Sequence, residues 1–287
     1  MNNSTCTLCP NLCKKNRAIG VGQCLVNDKI KIAKYYLHPF EEPCISGKNG
    51  SGTIFFCGCS LKCVFCQNYD VSRNNTGKII STNELADIFK HLEDLGAHNI
   101  NLVNPTHYSN KIQDALKLYK PNIPIVYNTH GYENIDTLTK IYDKIDVFLP
   151  DIKFYSPDVS FRYTGKKDYF EKASKAIELM ANKPIVFDKN GMMTSGTIIR
   201  HLVLPLNVSD SKNIIDWLAT IKDKVYVNIM SQYTPFGQID LFPELKRKLT
   251  TREYESVLDY AISKGITNAF YQDGKSADTT YIPKWDY

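Results

Sequence analysis

The chain has no cysteine after Cys66, although nine cysteines lie within its first 66 residues. The disulfide framework of a secreted protein would normally be spread along the whole chain. Short spacings within one part of a cytosolic protein are instead typical of metal ligands. The distribution of cysteines therefore predicts metal binding and not a disulfide scaffold.

Long apolar runs are also missing. No stretch approaches the roughly 20 apolar residues that cross a membrane, and the N-terminus lacks the hydrophobic segment of a secretion signal. The net charge of +5 comes mostly from scattered lysines that form no basic stripe, which argues against nucleic-acid binding. We therefore expect a cytoplasmic protein that binds neither nucleic acid nor membranes.

Strand and helix signals alternate from about residue 50 onward. The apolar segments predict strands at 53–57, 99–103, 123–127, 146–149, 197–204, 225–230 and 268–271. Helical periodicity and capping signals predict helices at 81–96, 109–119, 134–142, 168–180, 209–221 and 250–264. Such alternation predicts an α/β fold in which right-handed crossovers build a parallel sheet. At this length, the sheet is expected to close wholly or partly into a barrel with its site at the carboxyl ends of the strands.

Cys59, Cys63 and Cys66 follow the first predicted strand with the spacing Cys-x3-Cys-x2-Cys. Cysteine thiolates hold iron–sulfur clusters, and three ligands leave one iron of a cubane open, as catalytic metal sites do. The alternatives are a zinc knuckle or thiols that merely pack. A zinc site would need a fourth ligand nearby, and Gln67 and Asn68 are poor candidates. The spacing therefore favours a catalytic iron–sulfur cluster.

Polar residues stand at the ends of the later predicted strands. Any one set could be a turn or a helix cap, but sets in register at successive strand ends predict a shared binding site. These sets are 104–107, 128–131, 151–153, Arg200 with His201, and 231–233.

The run GCSLKCVFCQN, with Phe65 before its last cysteine, resembles the signature of radical S-adenosylmethionine (SAM) enzymes. The resemblance implies that the open iron chelates SAM and that one electron cleaves the sulfonium to a 5′-deoxyadenosyl radical, which abstracts a hydrogen atom. It also implies a partial (β/α)6 TIM-like barrel, preceded here by a small Cys-rich segment. We accordingly divide the chain into a metal-binding segment 1–49, a radical SAM core 50–272 and a C-terminal tail 273–287.

Within that superfamily the chain most resembles the relatives of pyruvate formate-lyase-activating enzyme, especially the PflX-type branch. The resemblance implies an oxidoreductase or lyase-type enzyme with a 4Fe–4S cluster, SAM and a reducing donor of the flavodoxin or ferredoxin type. A protein or peptide substrate is also implied. The matching stretches are 50–52, 67–70, 128–131, 151–153, 199–205 and the phrases HPFEEPCISG and NPTHY.

The same resemblance implies roles for individual residues around SAM. Phe65 would touch the adenine, and Arg200 would pair with the carboxylate of SAM. The remaining expected positions are Asn104 and Thr106 near the amino group, Asn128 and His130 near the ribose or methionine end, and Asp151 and Lys153 as catalytic candidates near SAM or the substrate backbone.

Two departures from the activases bear on the reaction. Asn104-Pro105-Thr106-His107 stands where activases carry Gly-Gly-Glu-Pro, and Asn128 replaces an aspartate. One alternative is activation of a glycyl-radical protein, and another is modification of a peptide or small molecule. A third alternative is a non-catalytic metal-binding protein on the same barrel.

Cys6, Cys9, Cys13 and Cys24 form a second ligand-rich set. Either a closed four-thiolate zinc site or a second iron–sulfur cluster suits these ligands, and the remaining alternative is a loop with free thiols. If the site holds a cluster, it could relay an electron to the first one.

Overall fold

The computed structural model describes residues 5–73 and 76–271, which fold around one open, mixed β-sheet. The predicted tail 273–287 lies outside the described residues. The strands are β1 (Ile30–His38), β2 (Ser51–Phe56), β3 (Lys78–Ile80), β4 (Ile100–Val103), β5 (Ile125–Thr129), β6 (Val147–Pro150), β7 (Val186–Phe187), β8 (Met193–Leu202), β9 (Tyr226–Met230) and β10 (Ala269–Tyr271).

Helices connect the strands, and the longer ones cover the outside of the sheet. They are α1 (Pro43–Ser46), α2 (Tyr69–Ser72), α3 (Thr82–Asp94), α4 (Ser109–Leu118), α5 (Ile135–Ile141), α6 (Pro157–Thr164), α7 (Tyr169–Met180), α8 (Val208–Ala219) and α9 (Thr251–Ser263). Short 3-10 helices cover Thr106–Tyr108, Tyr142–Lys144, Lys222–Lys224 and Pro243–Lys246.

The strands follow the order β10-β9-β8-β6-β5-β4-β2-β1-β3, and β7 pairs with β8 beside this path. From β2 through β10 the neighbours along the path are parallel, whereas β1 pairs antiparallel with both β2 and β3. Within the described chain β10 and β3 are the two edges, so the sheet does not close. The predicted α/β partial barrel is thus confirmed.

All the predicted strands and helices are present, with boundaries shifted by a few residues. The prediction missed β1, β3 and β7, which lie outside the strand–helix repeat, together with the short helices α1, α2 and α6. The predicted boundary between residues 49 and 50 falls between β1 and β2, which pair over most of their length. The N-terminal segment therefore adds a strand to the barrel sheet.

The side chains of the parallel strands alternate between two apolar layers, as the period of two requires. Ile125, Tyr127 and Phe148 belong to the large core formed with the outer helices. Val126 and Val147 face the other way and pack in a smaller cluster that includes residues of α1. The segment that contains α1 thus fills part of the barrel interior.

Helix α3 begins at the predicted capping box. Ser81 Oγ accepts a hydrogen bond from the N–H of Glu84 (3.1 Å), and the Glu84 carboxylate accepts one from the N–H of Ser81 (2.7 Å). Such reciprocal bonds satisfy N–H groups that the first turn of a helix leaves free. Among the residues that the structure describes, no helix is both long and apolar enough to span a membrane.

The turn after β5 packs tightly on the end of β6. Gly131 has φ +79°, and a Cβ on it would lie 2.2 Å from the carbonyl oxygen of Asp151. Gly165, at the end of α6, has a similar φ of +72° but open space around its Cα. Substitution of the two glycines therefore distinguishes the free-energy cost of a left-handed backbone from the cost of a steric clash.

We expect Gly131→Ala to lower the free energy of unfolding by about 3 kcal/mol or more, because left-handed strain and overpacking add. Gly165→Ala should cost only about 1–2 kcal/mol, the strain alone. Urea unfolding of both variants measures the difference. Equal losses would show that the Asp151 backbone moves away without cost.

Candidate active site

A cavity of about 250 Å³ opens at the carboxyl ends of the parallel strands. Its walls come from the loops after β2, β4, β5 and β6, from β8 and β9, and from the segment between β1 and α1. Most of the predicted site residues line it: Cys59, Phe65, Cys63, Cys66, Asn104, Asn128, His130, Asp151, Lys153 and Arg200.

The cysteine loop between β2 and α2 is held in place by side chains from neighbouring strand ends. Asn104 Nδ2 donates to the carbonyl of Gly58 (2.5 Å), just before Cys59. Asn104 has φ +59°, a left-handed conformation that asparagine tolerates better than most residues. Asn104 thus positions the cysteine loop directly.

His130 also holds this loop. Its Nδ1 accepts the N–H of Tyr132 (3.1 Å), which leaves Nε2 to carry the proton and donate to Ser60 Oγ (2.8 Å). Burial lowers the pKa of His130 to about 3, so the ring is neutral near pH 7. Its hydrogen bonds suit a positioning role beside the cysteines.

Cys59, Cys63 and Cys66 are free thiols. Burial raises the pKa of Cys63 well above its usual value, although Lys153 opposes the rise. Burial likewise raises the pKa of Cys59, and the neighbouring Cys66 adds to the rise. A bound metal reverses this balance, because coordination favours the thiolate.

The donor set fits an iron–sulfur cluster better than a single ion. Within residues 5–73 and 76–271, no group of three or more His, Cys, Asp or Glu side chains is arranged to hold a metal ion. A cubane places each thiolate on a different iron, so its ligands need not converge on one point. Three cysteines lining one cavity suit that arrangement.

Phe65 lies at the edge of the cavity in an aromatic cluster. Its ring contacts Phe154, Tyr163 and Tyr233 edge-on, with centroid distances of 6.1, 6.1 and 6.3 Å. Edge-to-face contacts of this kind stabilise a defined ring orientation. The ring expected to touch adenine is therefore held firmly by its neighbours.

Arg200 is the centre of the polar wall. Its Nε donates to Asp151 Oδ1 (2.9 Å), its Nη1 to Glu41 Oε2 (3.1 Å) and its Nη2 to Asn128 Oδ1 (2.5 Å). Lys153 Nζ donates to the other oxygen of Asp151 (2.7 Å). These bonds use three of the five N–H groups of the guanidinium, so donors remain for a ligand.

The two carboxyls that flank Arg200 differ in their ionisation. Burial would raise the pKa of Asp151, but Lys153 and Arg200 outweigh it and hold that pKa below its usual value. Burial raises the pKa of Glu41 in spite of Arg200 and Asn101. Asp151 is therefore a carboxylate at neutral pH, and Glu41 takes up a proton more readily.

The part of the cavity wall formed by His38, Phe40 and Glu41 was not predicted from the sequence. The only signal was the phrase HPFEEPCISG, and nothing in its pattern placed it at the mouth. His38 ends β1, an antiparallel strand outside the strand–helix repeat, and Phe40 and Glu41 follow it. The rule that looks only at the ends of parallel strands cannot find them.

Two further histidines, neither of which lines the cavity, are structural. His107 Nε2 donates to the carbonyl of Cys57 (2.7 Å), and His201 Nδ1 donates to that of Ile152 (2.8 Å). Burial lowers the pKa of His107 to about 3 and that of His201 to about 4. Both are neutral near pH 7.

Thr106 is fully buried and is not among the residues that line the cavity. Its Oγ1 donates to Glu133 Oε1 (2.6 Å), which also accepts from Thr129, while Tyr127 donates to Oε2 (3.5 Å). Burial raises the pKa of Glu133 to about 7, although these hydroxyls oppose the rise. Glu133 is therefore a buried carboxyl that binds a proton more tightly in the folded protein.

This proton uptake makes stability depend on pH. Between pH 4.5, the ordinary pKa, and about pH 7 the folded state binds a proton that the unfolded state has lost, so stability falls as pH rises. We expect the wild type to lose on the order of 3 kcal/mol relative to Glu133→Gln across this window. Urea unfolding at several pH values measures the difference, with the exposed Glu255→Gln as control. A pH-independent difference for Glu133→Gln would contradict the assignment.

Comparisons with known proteins identify the family to which the chain is similar. Residues 53–218 match the family model described as the radical SAM superfamily. An uncharacterized protein of Methanocaldococcus jannaschii is 32% identical over 266 residues, which cover 89% of this chain and 74% of that protein. The pyruvate formate-lyase-activating enzyme of Clostridium pasteurianum is 28% identical over 232 residues, covering 76% of this chain and 84% of that enzyme.

A solved structure of Streptococcus suis SuiB bound to its precursor peptide SuiA has a TM-score of 0.51 and 16% identity. The match covers 75% of this chain and 46% of SuiB, so this chain spans about half of that protein. SuiB bound to S-adenosylmethionine gives a TM-score of 0.50 at 17% identity, covering 75% of this chain and 48% of SuiB. At such identities the likeness shows the fold alone.

The family model covers more than half of the 287 residues, and the M. jannaschii relative matches along most of both chains. The match to an activating enzyme confirms the resemblance predicted from the sequence. The chain belongs to the radical SAM superfamily.

Proposed function

We propose that this protein is an activating-enzyme-like radical SAM enzyme whose cluster is bound by Cys59, Cys63 and Cys66. The observation that supports this proposal most is that all three thiols line the cavity that Arg200 and Asp151 also line. When bound, the cluster and SAM supply one-electron cleavage of the sulfonium to a 5′-deoxyadenosyl radical that abstracts a hydrogen atom from the substrate.

The chain's own residues would bind and orient SAM. Arg200 has a planar guanidinium suited to the carboxylate of SAM, and its remaining N–H groups are available beside Asp151 and Asn128. Phe65 offers an apolar edge for the adenine. Lys153 and Asp151, 2.7 Å apart at their charged ends, would hold polar groups of SAM or of the substrate backbone.

Asn104 and His130 would act mainly on the cysteine loop, because their side chains already bind Gly58 and Ser60. The expected contact of Thr106 with the amino group of SAM would require this hydroxyl to leave Glu133. We therefore place the amino group closer to Asn104 than to Thr106.

For the substrate we favour a protein or peptide segment. The cavity opens to the surface at the carboxyl ends of the strands, so one residue of a protein segment could enter from the mouth. The relatives point the same way: one is named as an activating enzyme, and SuiB was solved with a precursor peptide.

Two candidate reactions, activation of a glycyl-radical protein and modification of a peptide or small molecule, differ in which molecule carries the radical after hydrogen abstraction. A glycyl-radical activator would leave a stable radical on a protein partner. The altered stretch 104–107 favours the second candidate, modification of a peptide or small molecule. In both cases a reduced donor of the flavodoxin or ferredoxin class would supply the electron.

Loss of one cluster ligand tests the enzymatic proposal. We expect anaerobically reconstituted wild-type protein to form 5′-deoxyadenosine with SAM and dithionite. Cys63→Ala should reduce the rate at least about 100-fold, equivalent to about 2.7 kcal/mol, because the cluster that delivers the electron loses one of its three ligands. Cys44→Ala, a buried cysteine outside the cavity lining, should retain the wild-type rate. A wild type that binds a cluster yet forms no 5′-deoxyadenosine would indicate the non-catalytic alternative.

Arg200→Lys tests the carboxylate contact. A lysine keeps the charge but loses the planar fork, so we expect SAM to bind about 10- to 100-fold more weakly, or about 1.4–2.8 kcal/mol. Arg162→Lys is the matched control, since Arg162 pairs with Glu244 away from the cavity. Calorimetric titration with SAM measures both. An unchanged affinity with lowered thermal stability would mean that Arg200 only holds Glu41 and Asp151 together.

A further inference from the structure

Cys6, Cys9, Cys13 and Cys24 are free thiols that the chain brings together outside the cavity. The backbone of Cys6 pairs with the stretch after Cys13: its N–H donates to the carbonyl of Lys15 (3.0 Å), and its carbonyl accepts the N–H of Lys14 (3.1 Å). A turn closes after Cys9, where the N–H of Leu12 donates to its carbonyl (3.0 Å). These bonds hold the first three cysteines in one small loop.

The sulfur atoms are within reach of one another. Cys6 and Cys13 share a side-chain hydrogen bond, and Cys24 interacts electrostatically with both of them. Cys9 interacts in the same way with Cys6 and Cys24. Backbone N–H groups of Asn11, Lys15 and Gln23 face the sulfurs of Cys9 and Cys13, an arrangement that stabilises thiolates and tunes iron–sulfur clusters.

The backbone beside these cysteines is strained. Leu12, Lys14 and Leu25 have φ values of +40°, +50° and +69°, a region that costs an L-residue roughly 1–2 kcal/mol. Such conformations persist where surrounding interactions over-determine them, and they cluster at functional sites. A metal centre bound to the neighbouring cysteines would hold this strained backbone in place.

Arg17 supplies a buried positive charge beside the thiols. The residue is 6% exposed, and its Nη1 lies 3.9 Å from Cys6 Sγ and donates to the carbonyl of His107 (2.6 Å). Its Nε–H is buried without a hydrogen-bond partner. Among the described residues no carboxylate forms an ion pair with Arg17, and a buried charge needs compensation. A four-thiolate cluster is anionic and would provide it.

This cysteine set touches the cysteine loop of the cavity directly. The N–H of Cys59 donates to the carbonyl of Cys24 (3.1 Å), and Asn11 Nδ2 donates to the carbonyl of Ser60 (2.8 Å). A Cβ on Gly58 would lie 2.5 Å from the carbonyl oxygen of Cys24, so the two loops are in backbone contact. A redox centre gains from such proximity, whereas a structural zinc ion would not.

A tetrahedral zinc ion would need the four thiols to converge on one point at about 2.3 Å. A cubane offers four separate iron atoms, one for each cysteine.

We propose that Cys6, Cys9, Cys13 and Cys24 bind a second iron–sulfur cluster that relays electrons to the cluster at Cys59, Cys63 and Cys66. A reduced donor of the flavodoxin or ferredoxin class loses one electron to this second cluster, which returns to its oxidised form when it reduces the first. The transfer forms and breaks no covalent bond and moves no proton. Its electron is the one consumed in cleavage of the carbon–sulfur bond of SAM, so the relay rests on the proposed function.

Metal analysis of the anaerobically reconstituted full chain tests the site without relying on activity. We expect about eight iron atoms per chain in the wild type and in Cys44→Ala. The pair Cys9→Ser with Cys13→Ser should bind about four, as should the triple change of Cys59, Cys63 and Cys66 to alanine. About four iron atoms in the wild type, or zinc in place of the second set, would overturn the proposal.

The same variants separate the two proposals. If the cluster at Cys59, Cys63 and Cys66 does not exist, the triple variant keeps all the iron of the wild type. If only the second cluster does not exist, Cys9→Ser with Cys13→Ser keeps all the iron of the wild type. Electron paramagnetic resonance of the reduced wild type should show two interacting signals, and the triple variant should show one. This measurement needs no N-terminal variant to fold.

The relay itself is tested by changing the reductant. Dithionite reaches the first cluster directly, whereas flavodoxin is expected to act through the second. The ratio of the flavodoxin-supported rate of 5′-deoxyadenosine formation to the dithionite-supported rate should therefore be at least about tenfold lower in Cys9→Ser with Cys13→Ser than in the wild type, equivalent to about 1.4 kcal/mol. An unchanged ratio would overturn the relay.

Discussion

The mouth of the barrel depends on the guanidinium of Arg200. It binds oxygen atoms from three separate segments: Glu41 before α1, Asn128 in β5 and Asp151 after β6. Arg200 and its two carboxylate partners are mostly removed from water, with side-chain exposures of 15%, 8% and 16%. Removing one partner of a buried pair typically costs about 3–5 kcal/mol, because the remaining charge is left uncompensated. The N-terminal segment and the parallel strands are therefore coupled energetically at the cavity.

The parallel strands could be predicted because both of their faces are covered. Strand β2 is buried along its whole length, and such strands give short continuous apolar runs in the sequence. Strand β1 lies outside the strand–helix repeat, and its antiparallel pairing with β2 is a long-range choice that local pattern does not specify. Strand β7 has two residues, too few for a periodic signal.

The rule that the ends of parallel strands share one edge predicted that Asn104, Asn128 and Asp151 lie close together, and all three line the cavity. This rule predicts where a residue lies but not which residues its side chain binds. It could not show that Thr106 turns inward to Glu133 or that His130 binds Ser60, because those partners come from distant parts of the chain. Glu41 was not predicted as a cavity residue for the same reason, since it becomes a partner of Arg200 only in the folded barrel.

Each cysteine set has its own buried cation, and this common feature links the two halves of the protein. Burial raises the pKa of both Cys63 and Cys9, so these thiols would stay neutral in an apolar pocket. Lys153 opposes that effect at Cys63, and Arg17 opposes it at Cys13 and Cys24. Lys153 is compensated by the carboxylate of Asp151, whereas among the described residues no carboxylate pairs with Arg17. A buried cation without such a partner carries a large desolvation cost, which the anionic cluster proposed at the N-terminal cysteines would offset.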